Sequence, residues 1–126
     1  MGRMAEWLYR DELALAELNV ARAALQVARS IAYPALDIPA YMANLHELSE
    51  TAAAAISTGL PVIEQAERLS ALLFVEQGFR GNTLAYYDPR NSYLNEVLDR
   101  RLGLPITLSI VYLEVAERLG IPAYGI

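Results

Sequence analysis

The sequence predicts a mainly α-helical fold. Apolar residues recur at helical spacing in five segments, and Gly or Pro punctuates the ends of those segments. Of the 126 residues, 55% are hydrophobic, which is enough for a filled core rather than a disordered chain. Helices are expected near residues 11–32, 39–58, 61–77, 92–102 and 105–119, and strand is expected to be nearly absent.

The last of these segments organises the rest. In Leu104 to Leu119 the residues Ile106, Leu108, Ile110, Val111, Leu113, Val115, Ala116 and Leu119 point in almost every direction around a helix. Thr107, Glu114 and Arg118 fall in one narrow polar stripe, with Glu117 at its edge. That stripe is expected to be the open side, carrying a Glu114–Arg118 pair one turn apart. Pro105 suits a first helical turn, and Gly120 followed by Ile121-Pro122 ends the element. Leu108, Val111, Tyr112 and Val115 are expected among the most buried residues, against Leu69, Leu72 or Leu73.

The other elements follow in order. Leu15, Leu18, Leu25, Ala28 and Ala32 form one face of a first helix, which Tyr33-Pro34 stops. Asp37 can cap a second helix, with Pro39 in its first turn and Tyr41, Met42, Leu45, Leu48, Ala52 and Ile56 along one side, ended by Gly59. A third helix opens at Pro61, directs Val62, Ala66, Leu69, Leu72, Leu73 and Val75 to the core, and closes at Gly78. Phe79 to Arg90 reads as an aromatic-rich loop, with turn signals at Gly81-Asn82 and Asp88-Pro89. Asn91 or Ser92 then caps a short helix with Tyr93, Leu94, Val97, Leu98 and Leu102 inward, closed by Gly103. Ala123 to Ile126 reads as the start of a strand. A helix apolar on nearly every side needs neighbours on every side, so some apolar surface of the fifth helix is expected to remain exposed.

Composition excludes several classes. Fifteen acids against ten bases give a net charge of −5, and no basic run marks a nucleic-acid surface. There is no cysteine, hence no disulfide, thiolate metal site or cysteine nucleophile in the chain. No apolar run approaches the roughly 20 residues that span a bilayer, and the amino terminus lacks a signal peptide's apolar core. A cytoplasmic location, no metal and no cofactor are the expectations. His46 stands alone on the second helix, without the second His or Cys that a metal site requires.

The stretch Phe79 to Ile126, with GN, YYDPRNSYLNEVLDRR, GLPITLS and RLGIP in succession, resembles the bacterial SirB-type family of transglutaminase-like proteins. Members of that family often carry tetratricopeptide repeats. Leu18 to Gln77 is similar to the family's N-terminal region. The resemblance implies the N-terminal helical part of a papain-like α+β fold, truncated before its sheet. It divides the chain into a helical layer, 1–77, and the start of the transglutaminase-like core, 78–126, together one structural unit.

In the wider superfamily a nucleophilic Cys opens the central helix, and a His and an Asp follow on a sheet. Gly103-Leu104-Pro105 and Gly120-Ile121-Pro122 match the ends of that helix, so the resemblance places Pro105 at the Cys position. The resemblance therefore implies a non-catalytic domain, a scaffold for a protein or peptide, with no catalytic residue. The alternative is an atypical acyl-transfer or amide-hydrolysing enzyme completed by residues outside this chain. Thr107 and Ser109 could replace the nucleophile, but without a His or Lys base they read as capping and packing groups. Asp88, Arg90, Asn91, Asn95, Asp99 and Arg100 are the candidate cleft or ligand-binding residues, with 91, 95 and 99 on one helical face. Against that stands a blander role for the same six in caps, loop hydrogen bonds and an internal salt bridge.

Overall fold

In the computed structural model, which describes residues 19–122, five α-helices pack around one core. Helix α1 spans Val20–Ile31. Its N-cap, Asn19, accepts a hydrogen bond from the Arg22 N–H at 2.7 Å, and Ala21, Leu25 and Ala28 are buried. The expected start near residue 11 lies outside the described residues, as do Leu15, Leu18 and the strand residues Ala123 to Ile126. Helix α2, Ile38–Ala55, is capped by Asp37, which accepts from the Ala40 N–H at 3.2 Å, and it buries Leu45, Leu48 and Ala52.

Helix α3, Val62–Ala71, does not run on as a regular helix to Gln77. Leu72–Glu76 is a π-helical turn, closed by the Gln77 N–H donating to the Leu72 carbonyl at 2.8 Å. The wider turn shifts the facing of everything after it. Leu69, Leu72 and Leu73 reach the core as expected, but Val75 is exposed, and so is Val62 at the open first turn.

The loop after Gly78 holds a feature that periodicity does not reveal. Arg80–Gly81 (β1) pairs in parallel with Leu102–Gly103 (β2), Arg80 opposite Leu102. Between them lie a 3-10 turn, Pro89–Ser92, and helix α4, Leu94–Arg100. The expected 92–102 helix is thus two elements: Asp88 caps the 3-10 turn, neither Asn91 nor Ser92 caps α4, and Arg101 at φ 60° closes α4 where Gly103 was expected. Arg101 is held in that left-handed conformation by its own side chain. Nη1 donates to the Gln77 carbonyl and to Gln77 Oε1, each at 2.8 Å, and the guanidinium lies 4.7 Å from the Phe79 ring centre.

Helix α5, Pro105–Leu119, ends at Gly120, whose φ of 71° suits glycine. It packs against α1, α2, α3 and α4. Val111, Tyr112 and Val115 are buried in one core with Leu69, Leu72 and Leu73, whereas Leu108 is only partly buried. The expected open stripe is closed at Thr107 and Glu114 and open only at its end, where Glu117 and Arg118 are exposed. Thr107 and Glu114 are 4% and 6% exposed, while Ile106 and Leu113 are 69% and 38% exposed. Partners explain the reversal: Thr107 bonds to Asn91, and Glu114 bonds to Asn19 and Arg118. Apolar side chains, Ile106 and Leu113, therefore face outward, as the near-continuous apolar pattern implied. Among the described residues no helix is long and apolar enough to cross a membrane.

Candidate functional site

The start of α5 is fixed by polar groups that meet from distant parts of the chain. Gly103 in β2 has no room for a side chain: a Cβ there would lie 2.7 Å from Thr107 Oγ1 and 3.1 Å from both Val97 methyls. Close approach is what glycine supplies here. Thr107 Oγ1 accepts from the Leu104 N–H at 3.0 Å and donates to the Asn91 carbonyl at 2.9 Å. The buried Asn91 side chain continues the network, donating to the carbonyls of Ala85 at 2.9 Å and Tyr86 at 3.1 Å and accepting from Asn82 Nδ2 at 3.0 Å. The Asn82 N–H in turn donates to the Gly103 carbonyl at 3.1 Å. Loop 82–91 is thereby tied to the helix start with its buried polar atoms satisfied.

Pro105 is exposed at the first position of α5. It borders a groove of about 510 Å³ between α3 and α5, whose other walls include Ile63, Glu67, Phe74, Leu108 and Tyr112. Phe74 stacks on Tyr112 with ring centres 6.2 Å apart and 13° between planes. The Tyr112 hydroxyl donates to the Ala66 carbonyl at 3.3 Å. Ser109 also lines the groove, but its hydroxyl donates to the Pro105 carbonyl at 2.7 Å, and no histidine lies beside it. His46 is elsewhere, in a groove with Arg118, where Nε2 lies 2.7 Å from Glu50. Among the described residues the groove at Pro105 holds one carboxylate, Glu67, and neither a thiol nor an imidazole. Its hydroxyls, on Ser70, Ser109 and Tyr112, have no imidazole beside them.

The six residues singled out from sequence do not form one site. Asp88, Arg90 and Arg100 form an ion cluster: Arg90 Nη2 lies 2.7 Å and Arg100 Nη2 3.7 Å from Asp88 Oδ2. The Arg90 side chain, and then its backbone N–H, hold the Asp88 carboxyl down at about 2. Asn91 belongs to the buried network and lies in the 3-10 turn, so it does not share the α4 face with Asn95 and Asp99. Those two line a third groove, at the turn between α1 and α2. None of the six borders the groove at Pro105.

Sequence reasoning missed Asn82 and Tyr41. Asn82 read only as a turn residue, although a buried Asn beside Gly81 needs several partners. Tyr41 read as a core residue of α2, yet its hydroxyl donates to Asp99 Oδ2 at 2.7 Å, and that bond raises its pKa to about 12.

Comparisons with known proteins agree with this architecture. A family model described as the transglutaminase-like superfamily matches residues 39–126, more than two-thirds of the chain. A UPF0162 protein of Xylella fastidiosa is 59% identical over 54 residues, which are 43% of this chain and 19% of that protein. The UPF0162 protein of Vibrio cholerae is 40% identical over 60 residues, 48% of this chain and 22% of that one. F-box only protein 21 of Mus musculus is 41% identical over 56 residues, 44% of this chain and 9% of that one. In each of these three the match covers less than a quarter of the relative's length. No solved structure matches. With the family model spanning α2 through α5, the chain belongs to the transglutaminase-like superfamily.

Proposed function

We propose that this chain is a non-catalytic, SirB-type transglutaminase-like domain that binds a protein or peptide in the groove beside Pro105. The observation that carries the reading is Pro105 itself. The first residue of the central helix has no nucleophilic atom and no N–H to offer an oxyanion. Around it stand the exposed apolar side chains Ile63, Phe74 and Ile106, a patch suited to apolar anchors of an extended or helical segment.

Peptide display against this chain, beside an Ile63→Glu, Phe74→Glu variant, tests the reading, with amide hydrolysis followed in parallel. Enrichment of peptides with paired apolar anchors, lost in the variant and without hydrolysis, is the expected result. Time-dependent hydrolysis abolished by Ser109→Ala or Thr107→Ala would instead establish the atypical enzyme.

A further inference from the structure

The groove at the α1–α2 turn, about 550 Å³, shares no lining residue with the one at Pro105. Among the described residues, three carboxylates line it, those of Asp37, Glu96 and Asp99, and no basic residue does. Arg90 Nη2 and Arg100 Nη2 face Asp88 at 2.7 and 3.7 Å, and Arg100 Nη1 is buried without a hydrogen-bond partner among the described residues. Two tyrosines wall the groove and are held in place. Tyr41 donates to Asp99, and the Tyr33 ring meets Tyr93 edge-on with centres 5.4 Å apart.

Carboxylates alone would be ordinary surface, but Asn95 is not. It lines the groove while only 3% exposed, and its Oδ1 has no hydrogen-bond partner among the described residues. A buried amide oxygen without a donor carries a desolvation cost that an incoming donor removes.

We propose that this groove receives the guanidinium of an arginine side chain presented by a partner polypeptide. A guanidinium supplies several donors in one plane, matching Asp99, Glu96 and the orphaned Asn95 oxygen, and its flat face suits a tyrosine ring. A metal ion is a poorer match, because among the described residues no three or more His, Asp or Glu converge closely enough to hold one. The acidic balance of the whole chain, net −5, favours the approach of a basic segment.

The test titrates the isotope-labelled chain with N-acetylarginine amide, its neutral counterpart N-acetylcitrulline amide, and diaminobutane, reading amide chemical shifts by NMR. Saturable shifts confined to Tyr33, Tyr41, Asn95 and Asp99, produced by the arginine amide and not by the citrulline amide, are expected. Asp99→Asn, an exposed position, should weaken them about tenfold with the fold intact. Asn95→Leu should abolish them, and should that variant fail to fold, Asp99→Asn carries the test alone. Equal shifts with citrulline, shifts spread over Glu47, Glu64 and Glu67, tighter binding of diaminobutane, or an Asp99→Asn variant that binds as the parent does would each overturn the proposal.

Discussion

Asn19 Nδ2 lies 3.2 Å from each carboxylate oxygen of Glu114, joining the cap of α1 to the middle of α5 across 95 residues of sequence. Glu114 also accepts from Arg118 Nε at 2.9 Å, so the buried carboxylate faces donors from two helices. Asn19 is used twice, as acceptor for the Arg22 N–H and as donor to Glu114.

That double use separates two substitutions. Asn19→Ala loses the cap and a donor to Glu114, a cost of about 1–3 kcal/mol. Asn19→Asp keeps a cap of ordinary quality but sets one carboxylate against another. Urea unfolding should therefore rank Asn19→Asp no more stable than Asn19→Ala. The reverse order would show that the contact with Glu114 contributes nothing.

Gly103 and Gly81 face each other across the parallel pair, yet only one has a crowded Cβ position. Gly103→Ala should cost about 1–3 kcal/mol, because Thr107 or Val97 must move. At Gly81 nothing lies within 4 Å of the added atom and the backbone is not left-handed, so Gly81→Ala should stay within about 0.5 kcal/mol of the parent. Similar melting temperatures for the two variants would remove Gly103 from the account of how α5 is seated.

Two tyrosine and carboxyl titrations have opposite signs. Asp88 is depressed from 3.8 to about 2 in the folded chain. Its contribution to stability is therefore present above pH 3.8 and is lost as pH falls toward 2. Tyr41 is raised from 10.0 to about 12, chiefly by its bond to Asp99. Its contribution is complete below pH 10 and is lost as pH rises through 12. Burial raises Tyr33 as well, so tyrosinate absorbance should show a late phase that includes a tyrosine near 12, and Asp99→Asn should bring that one earlier. An unchanged late titration in that variant would mean that burial rather than the hydrogen bond sets the shift.

Pro105→Cys restores a thiol at the helix start, with the helix N-terminus to favour its ionisation. No imidazole shares the groove, since His46 lies with Arg118 in a different one. The variant should be alkylated by iodoacetamide and still give no measurable amide hydrolysis. Sustained turnover would show that this chain retains catalytic support the geometry does not display.

The limits of α5 were legible because Pro105 and Gly120 mark them by backbone chemistry that acts locally. Its orientation was not, because the polarity of Thr107 and Glu114 suggested water. Their partners are 16 and 95 residues away in the chain, and no periodic pattern records such distances. The parallel pairing of Arg80–Gly81 with Leu102–Gly103 was hidden for the same reason, being two residues long and entirely non-local. At the candidate sites, residue chemistry was readable but grouping was not. Asp88, Arg90, Asn91, Asn95, Asp99 and Arg100 cluster in sequence, but the break between the 3-10 turn and α4 parts Asn91 from Asn95 and Asp99, while Asp88 and Arg90 meet Arg100 across it.

The π-helical turn Leu72–Glu76 has a consequence for how this architecture tolerates changes in chain length. A turn of that kind holds one residue more than the α-helical turn it replaces. Deleting one residue within it would tighten the helix and rotate all that follows by about 100°. Phe74 would swing off Tyr112, and Phe79 would leave its place beneath Arg101. Substitution at any single position in the turn changes one side chain, whereas a one-codon deletion there dismantles the wall of the Pro105 groove and the anchor of α4 together. The groove is specified as much by the number of residues in that turn as by their identity.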